Sequence, residues 1–202
     1  MQPSILRFLE QVRAIAQTGL HYSSDPYDRD RYQQLLDLSI EEYASLTEIE
    51  IDKIRSTFLK EAGRISPKCA ASGAIFNDDG QILLIRRSDD GTLTLPGGGC
   101  DSGESPKEAT VREVREETGL NVEAHQVIDV FCGKAGTDNR IFTIYSTMYY
   151  CTIISGDFGP TLEATEVGFY DHKTVPDKEW HRYIKVRVQA AYIYWLKNIC
   201  ES

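Results

Sequence analysis

Residues 98–120 read GGCDSGESPKEATVREVREETGL, the stretch of the chain in which local structural signals are densest. Ser105 stands before Pro106, and Glu108 follows three positions later. That is the pattern of a capping box with proline at the first helical position. Gly119 fits the stop, so the spacing predicts a helix from Ser105 to Glu117. On it Glu113, Glu116 and Glu117 stand at i, i+3 and i+4, which puts three carboxylates on one face. Arg112, four residues before Glu116, can brace it, while Ala109 and Val114 help cover the core side. Like charges so placed repel by a few tenths of a kcal/mol per pair. A hard dication relieves that conflict, and Mg²⁺ characteristically takes carboxylates together with waters and phosphate oxygens. Mn²⁺ can substitute at such oxygen-rich sites. Glu104, in the loop before the helix, can add a ligand. Gly97, Gly98 and Gly99 permit close backbone approach to metal or phosphate. The competing reading is a solvated acidic face paired with Arg112 and Arg115.

Outward from this helix the pattern is β-rich. Cys69–Phe76 reads as a strand, Asn77-Asp78-Asp79-Gly80 as a turn, and Gln81–Arg86 as the hairpin partner. A short strand over Thr92–Leu95 runs into Pro96 and the glycines. Val122–Phe131, Ile141–Ile154 and Glu166–Tyr170 are rich in β-branched and aromatic residues, and a last helix is expected from about Trp180 to Ile199. The expected fold class is α+β: a mixed β-sheet with helices on its faces.

The first 65 residues read as helices alone. Ile5, Phe8, Leu9, Val12, Ile15 and Ala16 recur at helical spacing, with Gly19 placed as a C-terminal cap. Tyr32, Leu35, Leu36, Ile40 and Tyr43 mark a second helix. Thr47 and Glu50 form a T-x-x-E capping pattern before a third, through Ile51, Ile54 and Phe58, with Gly63 as its stop. Three short amphipathic helices bury little surface by themselves and need a partner, the rest of the chain or a second copy. The expected organisation is a small helical domain over 1–65 and a second domain over 66–202.

Composition narrows the function classes. The 202 residues carry a formal net charge of -9, with 41% apolar and 26% charged residues, the balance of a soluble globular protein. An electrostatic grip on long nucleic acid needs clustered Lys and Arg, which this acidic chain lacks. A small nucleotide is not excluded, because a bound cation offsets local carboxylates. Five scattered cysteines without CxxC spacing read as free thiols in a reducing compartment. The charged N-terminal helix pattern is neither a signal peptide nor a membrane span, so the expected location is the cytoplasm.

The quoted segment also resembles a family signature, the Nudix box G-x5-E-x7-R-E-U-x-E-E-x-G-U with U apolar. Gly98, Glu104, Arg112, Glu113, Val114, Glu116, Glu117, Gly119 and Leu120 match it without departure. The resemblance implies the Nudix α/β/α sandwich from about residue 67 onward. It further implies metal-dependent hydrolysis of a nucleoside diphosphate linked to a moiety X, by attack of an activated water on one phosphorus. By the same resemblance Glu113, Glu116 and Glu117 bind metal, Glu104 assists, and Arg112 orients a carboxylate. The general base varies in the family, with Glu113, Glu163 and Glu166 as candidates and a box glutamate favoured. QVRAIAQTGLHYSSDPYDRDRYQQL, residues 11–35, resembles the helical extension of a bacterial subgroup acting on ADP-ribose or CDP-choline. That likeness implies a homodimer in which the helical piece helps build the pairing surface.

Substrate contacts are harder to read. Arg86 and Arg87 can hold phosphate through guanidinium forks, or simply end a strand in solvent. The loop Lys134–Arg140 is polar enough to touch X, and Tyr22, Tyr27 and Phe131 can stack on a base or fill a core. His181, Arg182 and Lys185 can meet a phosphate, whereas His125 and His172 lack metal-ligand spacing. Two other functions stay open: a non-catalytic nucleotide sensor or docking protein, and hydrolysis at RNA ends.

Overall fold

The computed structural model describes residues 3–61, 65–135, 140–159, 161, 163–181 and 184–200. The chain gathers into two compact units. One comprises Met1–Lys68 with Cys132–Ile144, the other Cys69–Phe131 with Tyr145–Ser202.

In the helical unit, α1 (Pro3–Tyr22), α2 (Pro26–Leu46) and α3 (Ile51–Leu59) enclose Leu6, Leu9, Ala16, Leu36, Ile40, Tyr43, Ile54 and Phe58. Asp25 caps α2 by accepting from the amides of Tyr27 and Asp28, each at 2.9 Å. Of the apolar residues at helical spacing on α1, Leu9 and Ala16 enter the core and the others do not. Ile5, Phe8 and Ile15 are exposed, whereas Arg13 and Gln17 are buried. The guanidinium of Arg13 lies 3.9 Å from the Phe58 ring centroid, pairs with Glu61, and donates to Gln17 Oε1 at 2.8 Å. Gln17 donates in turn to the carbonyls of Phe58 and Glu61 at the end of α3, where Phe58 O also accepts from the Glu61 amide at 3.1 Å. Sequence period registers only apolar residues, and here polar ones plug a helix end.

Gly19 is not a cap. It sits inside α1, and a Cβ there would lie 2.5 Å from the Tyr32 ring of α2. Thr47 opens no capping box either. It is the C-cap of α2, with its hydroxyl donating to Tyr43 O at 2.8 Å, while Glu50 begins α3 without a side-chain cap bond. Gly63 and most of the Lys134–Arg140 loop lie outside the described residues. The described end of that loop belongs to the helical unit: Tyr43 donates to Arg140 O at 2.9 Å, and Ile141 packs on the helical core.

Among the described residues, the other unit is built on seven strands in two sheets. β1 (Lys68–Ile75), β4 (Gly97–Gly99), β5 (Asn121–Gly133) and β6 (Ile144–Ser155) run in the order β4-β1-β6-β5. β2 (Ile82–Arg87), β3 (Leu93–Thr94) and β7 (Ala164–Tyr170) run in the order β3-β2-β7. The turn at Asn77–Gly80 forms, with Gly80 at φ 74°. The strands it joins are linked by one bridge, Phe76 to Ile82, and then part into separate sheets. The expected hairpin is therefore only its turn, because each strand finds longer pairings elsewhere.

Alternation along these strands builds two cores. Ala74, Ile82 and Leu84 meet Met148, Trp180 and residues of α5 (Ile184–Trp195), namely Ile184, Val188 and Ala191. Ile75 and Leu83 face the opposite way, toward Val114 of α4 (Pro106–Thr118), Val122 and Cys151. The result is the α/β/α sandwich, with α4 on one face and α5 on the other. The last helix starts later than the sequence suggests, since Trp180 is used in a parallel bridge to Leu93.

Replacing Arg13 by Ala leaves Glu61 with Lys68 as its ion-pair partner and empties the ring contact, and is expected to lower helical-unit stability by about 2 kcal/mol. Urea unfolding of purified Arg13→Ala and parent protein measures it, and an unchanged midpoint would refute the role given to Arg13.

Candidate active site

The box helix is built as its sequence dictates. Ser105 accepts from the amide of Glu108 at 3.3 Å, and Glu108 accepts from the amide of Ser105 at 2.8 Å, closing the capping box. Gly119 ends α4 at φ 81°, with its amide on Arg115 O at 3.0 Å. This fixes which side chains point at β4. Glu113 and Glu117 do, and both are buried, at 8% and 6% exposure. Glu116 lies at the exposed rim.

Arg112 organises the rest. Its guanidinium donates to Glu104 at 2.6 and 3.1 Å, to Glu113 at 2.9 Å, to Glu116 at 3.0 Å and to the carbonyl of Gly99 at 3.0 Å. The brace expected for Glu116 alone thus reaches three carboxylates and one strand. Glu104 also accepts from the amide of Asp101 at 2.6 Å. Arg112 and that amide hold the Glu104 carboxyl below the usual range.

Glu117 has a different environment. Its carboxylate accepts from the amide of Gly97 at 2.6 Å. Burial nevertheless pushes its pKa up to about 8, with Glu113 and Glu163 adding repulsion against the help of the Gly97 amide and Arg87. Glu113 is raised as well, by burial first and by Glu116 and Glu163, although Arg112 pulls the other way. Glu163 therefore belongs electrically to this cluster. Glu166 does not: it is bound to Arg86 at 2.7 Å and accepts from Tyr170 at 2.6 Å, which hold its carboxyl low.

The glycines of β4 are spatial requirements. A Cβ on Gly97 would come within 2.3 Å of Ala71 O, and one on Gly98 within 2.5 Å of the Glu113 carboxylate. Gly98 thus makes room for Glu113, a use nearer than the phosphate contact expected of it. Gly99 has open space around it, and its carbonyl holds Arg112.

The other candidates have partners or positions of their own. Arg86 is held by Glu166, by Glu179 at 3.2 Å and by Gly91 O at 3.0 Å, and Arg87 by Asp89 at 2.9 Å. A phosphate would have to displace those partners. His181 lies 3.2 Å from Asp90, Lys185 pairs with Asp177, and Arg182 lies outside the described residues. His125 meets the Thr152 hydroxyl at 2.7 Å, and the His172 ring lies tilted at 47° against that of Tyr192. Phe131 packs on the core with Arg187 over its ring at 5.0 Å, while Tyr22 and Tyr27 are exposed. The amides of Gly97 and Asp101, which sequence reasoning missed, carry no side-chain signal beyond the glycines beside them.

This geometry coincides with what the chain resembles. Residues 67–191 match the NUDIX domain, and residues 3–58 match a domain described as "UDP-X-like, N-terminal oligomerisation domain". The Bacillus subtilis (strain 168) protein named "Putative ADP-ribose pyrophosphatase YjhB" is 34% identical over 177 residues, covering 87% of this chain and 85% of that one. A solved ADP-ribose pyrophosphatase from Streptococcus suis is 30% identical, with a TM-score of 0.55 over 63% of this chain and 91% of its own. A structure titled UDP-X diphosphatase, 23% identical, shares the fold over 98% of this chain and 97% of its own, with a TM-score of 0.60. The chain belongs to the Nudix hydrolase family. It is a pyrophosphohydrolase of that family, preceded by the helical domain found in part of it.

The raised pKa of Glu117 has a signed consequence. Its unfolded value is near 4.3, so the stability it contributes is complete below about pH 4 and is lost as the pH rises through about 8. In metal-free protein Glu117→Gln should remove that loss, raising stability by about 2–4 kcal/mol near pH 9 and by under ~1 kcal/mol near pH 5. Urea unfolding across the pH range reads this, and parallel curves for parent and variant would exclude Glu117 as the source.

Proposed function

We propose that the chain is a Mg²⁺-dependent hydrolase of nucleoside diphosphates linked to a moiety X, releasing a nucleoside monophosphate and phospho-X. The observation that carries this reading is the pair of buried carboxylates, Glu113 and Glu117, both raised in pKa and short of positive charge. Burying such a pair is costly unless a cation joins it.

Among the described residues, no three His, Cys, Asp or Glu groups already form a cation cage. The donor chemistry nonetheless fits a hard dication. Glu104, Glu113, Glu116 and Glu117 offer only carboxylate oxygens, and Arg112 keeps three of them close together. These four would hold Mg²⁺, or Mn²⁺ in its place. The bound cation would supply Lewis-acid polarisation and charge neutralisation at the diphosphate. The protein's own part is to hold Glu104 and Glu116 through Arg112 and Glu117 through the Gly97 amide. Glu113, with its raised carboxyl, is placed to take a proton from the attacking water, and Glu163 is the second acceptor in reach of the cluster. Glu166, occupied by Arg86 and Tyr170, is the weakest of the three.

The likeness to ADP-ribose pyrophosphatases supports an ADP-ribose-like substrate, and the helical extension supports a CDP-choline-like or UDP-linked one. The whole chain would work in the cytoplasm on a small nucleotide, with residues 1–65 as a pairing domain and 66–202 as the hydrolase. Exposed Ile5, Phe8, Ile15 and Tyr22 form a stripe along α1, and an apolar stripe of this kind is what a second copy would cover. Among the described residues no helix is long and apolar enough to cross a membrane.

Product analysis on ADP-ribose, CDP-choline, UDP-sugars, dinucleoside polyphosphates, nucleoside triphosphates and capped RNA, with and without Mg²⁺, tests the chemistry. Metal-dependent release of a nucleoside monophosphate is expected, with Glu116→Gln and Glu117→Gln each slower by about 100-fold or more. Turnover of none of these would favour a nucleotide sensor, and turnover of RNA alone an RNA-end enzyme. Light scattering tests the pairing. A mass near twice 22.8 kDa is expected for the parent protein and a monomer for Phe8→Asp with Ile15→Asp. A monomeric parent at micromolar concentration would overturn the homodimer.

A further inference from the structure

Two of the five cysteines stand opposite each other on adjacent strands. The antiparallel register of β1 with β4 pairs Ala70 with Gly99 and Ala71 with Gly98, and one step further it sets Cys69 against Cys100. The bond from the Cys100 amide to Cys69 O, at 3.1 Å, confirms that step. Gly73 donates to Pro96 O four residues along the same row, so Cys69 and Cys100 occupy a hydrogen-bonded pair position. At such positions the Cα atoms are about 5.5 Å apart, close to the commonest separation in disulfides. Opposed residues of an antiparallel pair also project to the same face.

That face is the one that carries the box. Residues two apart share a face, so Cys69 and Cys100 line up with Ala71, Gly98 and Gly73. A Cβ on Gly98 would meet the Glu113 carboxylate, and one on Gly73 would meet Val114. Burial pushes the Cys100 thiol up, with Cys69, Glu104 and Glu113 adding to the rise and Arg112 opposing it. Both are free thiols, Cys69 exposed and Cys100 partly so.

We propose that Cys69 and Cys100 form a thiol–disulfide exchange site, at which low-molecular-weight disulfides oxidise the pair to a cross-strand disulfide that clamps β4 to β1. The Cys69 thiolate attacks one sulfur of the small disulfide, forming a mixed disulfide and releasing one small thiol. The Cys100 thiolate then attacks Cys69 Sγ, forming the protein disulfide and releasing the second small thiol. Two protein thiols are oxidised, one small disulfide is reduced, and the two thiol protons leave on the two small thiols. Excess small thiol reverses both steps. The clamped strand is the one whose Gly97 amide holds Glu117 and whose Gly99 carbonyl holds Arg112. Oxidation thus stiffens the backbone beneath the carboxylates, whatever substrate they serve.

The test uses the full chain, fully reduced and then equilibrated with graded ratios of oxidised to reduced glutathione, with thiol counting, peptide mass mapping and hydrogen exchange as readouts. Expected are the loss of two thiols, a cross-linked Cys69–Cys100 peptide without retained glutathione, and exchange in residues 97–100 slowed about fivefold or more. Cys100→Ser should instead keep glutathione on Cys69. The proposal fails if the parent protein keeps glutathione on either cysteine at equilibrium, links Cys69 elsewhere, or leaves both thiols unreacted while its exposed Cys200 reacts.

Discussion

One guanidinium stands against a crowd of carboxylates. Arg112 holds Glu104, Glu113, Glu116 and a strand carbonyl, all within hydrogen-bonding distance. At the separations involved, a single positive charge offsets part of the mutual repulsion and cannot offset all of it. The arrangement is stable because the helix carrying it is over-determined, with a closed capping box at one end, a left-handed glycine at the other, and Val114 buried beneath. Side-chain electrostatics is left in deficit while the backbone is held firmly. That division suits the cation binding proposed above, since carboxylate ligands for a cation would have to be held without collapsing or scattering.

The deficit is uneven across the cluster. Glu104 is held low by Arg112 and a backbone amide, whereas Glu117 is driven up by burial and by its acidic neighbours. Two carboxylates of one motif therefore begin from opposite protonation tendencies. The strand beneath them sets this contrast. β4 approaches α4 closely because Gly98 has no side chain to meet the Glu113 carboxylate, and the Gly97 amide then reaches Glu117. A methyl group at position 98 would enter the space of the Glu113 carboxylate. Steric room at Gly98 and the amide of Gly97 thus act together on the two buried carboxylates.

This coupling explains which parts of the molecule the sequence discloses. The box helix reads correctly to its caps, because capping, proline placement and the i, i+3, i+4 carboxylates are local rules. The sandwich is legible for the same reason, strand by strand. The helical unit is less so. Period gathers Ile5, Phe8, Leu9, Val12, Ile15 and Ala16 into one apolar set, of which the fold buries Leu9 and Ala16 and leaves Ile5, Phe8 and Ile15 exposed. The buried face contains Arg13 and Gln17, whose value emerges only when Phe58 and Glu61 arrive from α3 and its end. Gly19 reads as a cap until Tyr32 is seen against it. Thr47 and Glu50 have the right spacing for a box, but the hydroxyl is taken by the preceding helix.

Substrate choice is the least legible feature, for a physical reason. Arginines are recognised in sequence as phosphate ligands by type, yet their use depends on which carboxylates fold beside them. Arg86 meets Glu166 and Glu179 from positions 80 and 93 residues away, and Arg87 meets Asp89 two residues on. The first pairing is invisible to any local rule; the second is local, but an arginine at a strand end beside an aspartate reads equally well as solvated. On the proposed reading, with these forks engaged, phosphate affinity would come chiefly from a cation held at the carboxylate cluster. Recognition of the diphosphate and binding of the cation would then be one event, with selectivity for base and X left to surfaces that the box does not specify.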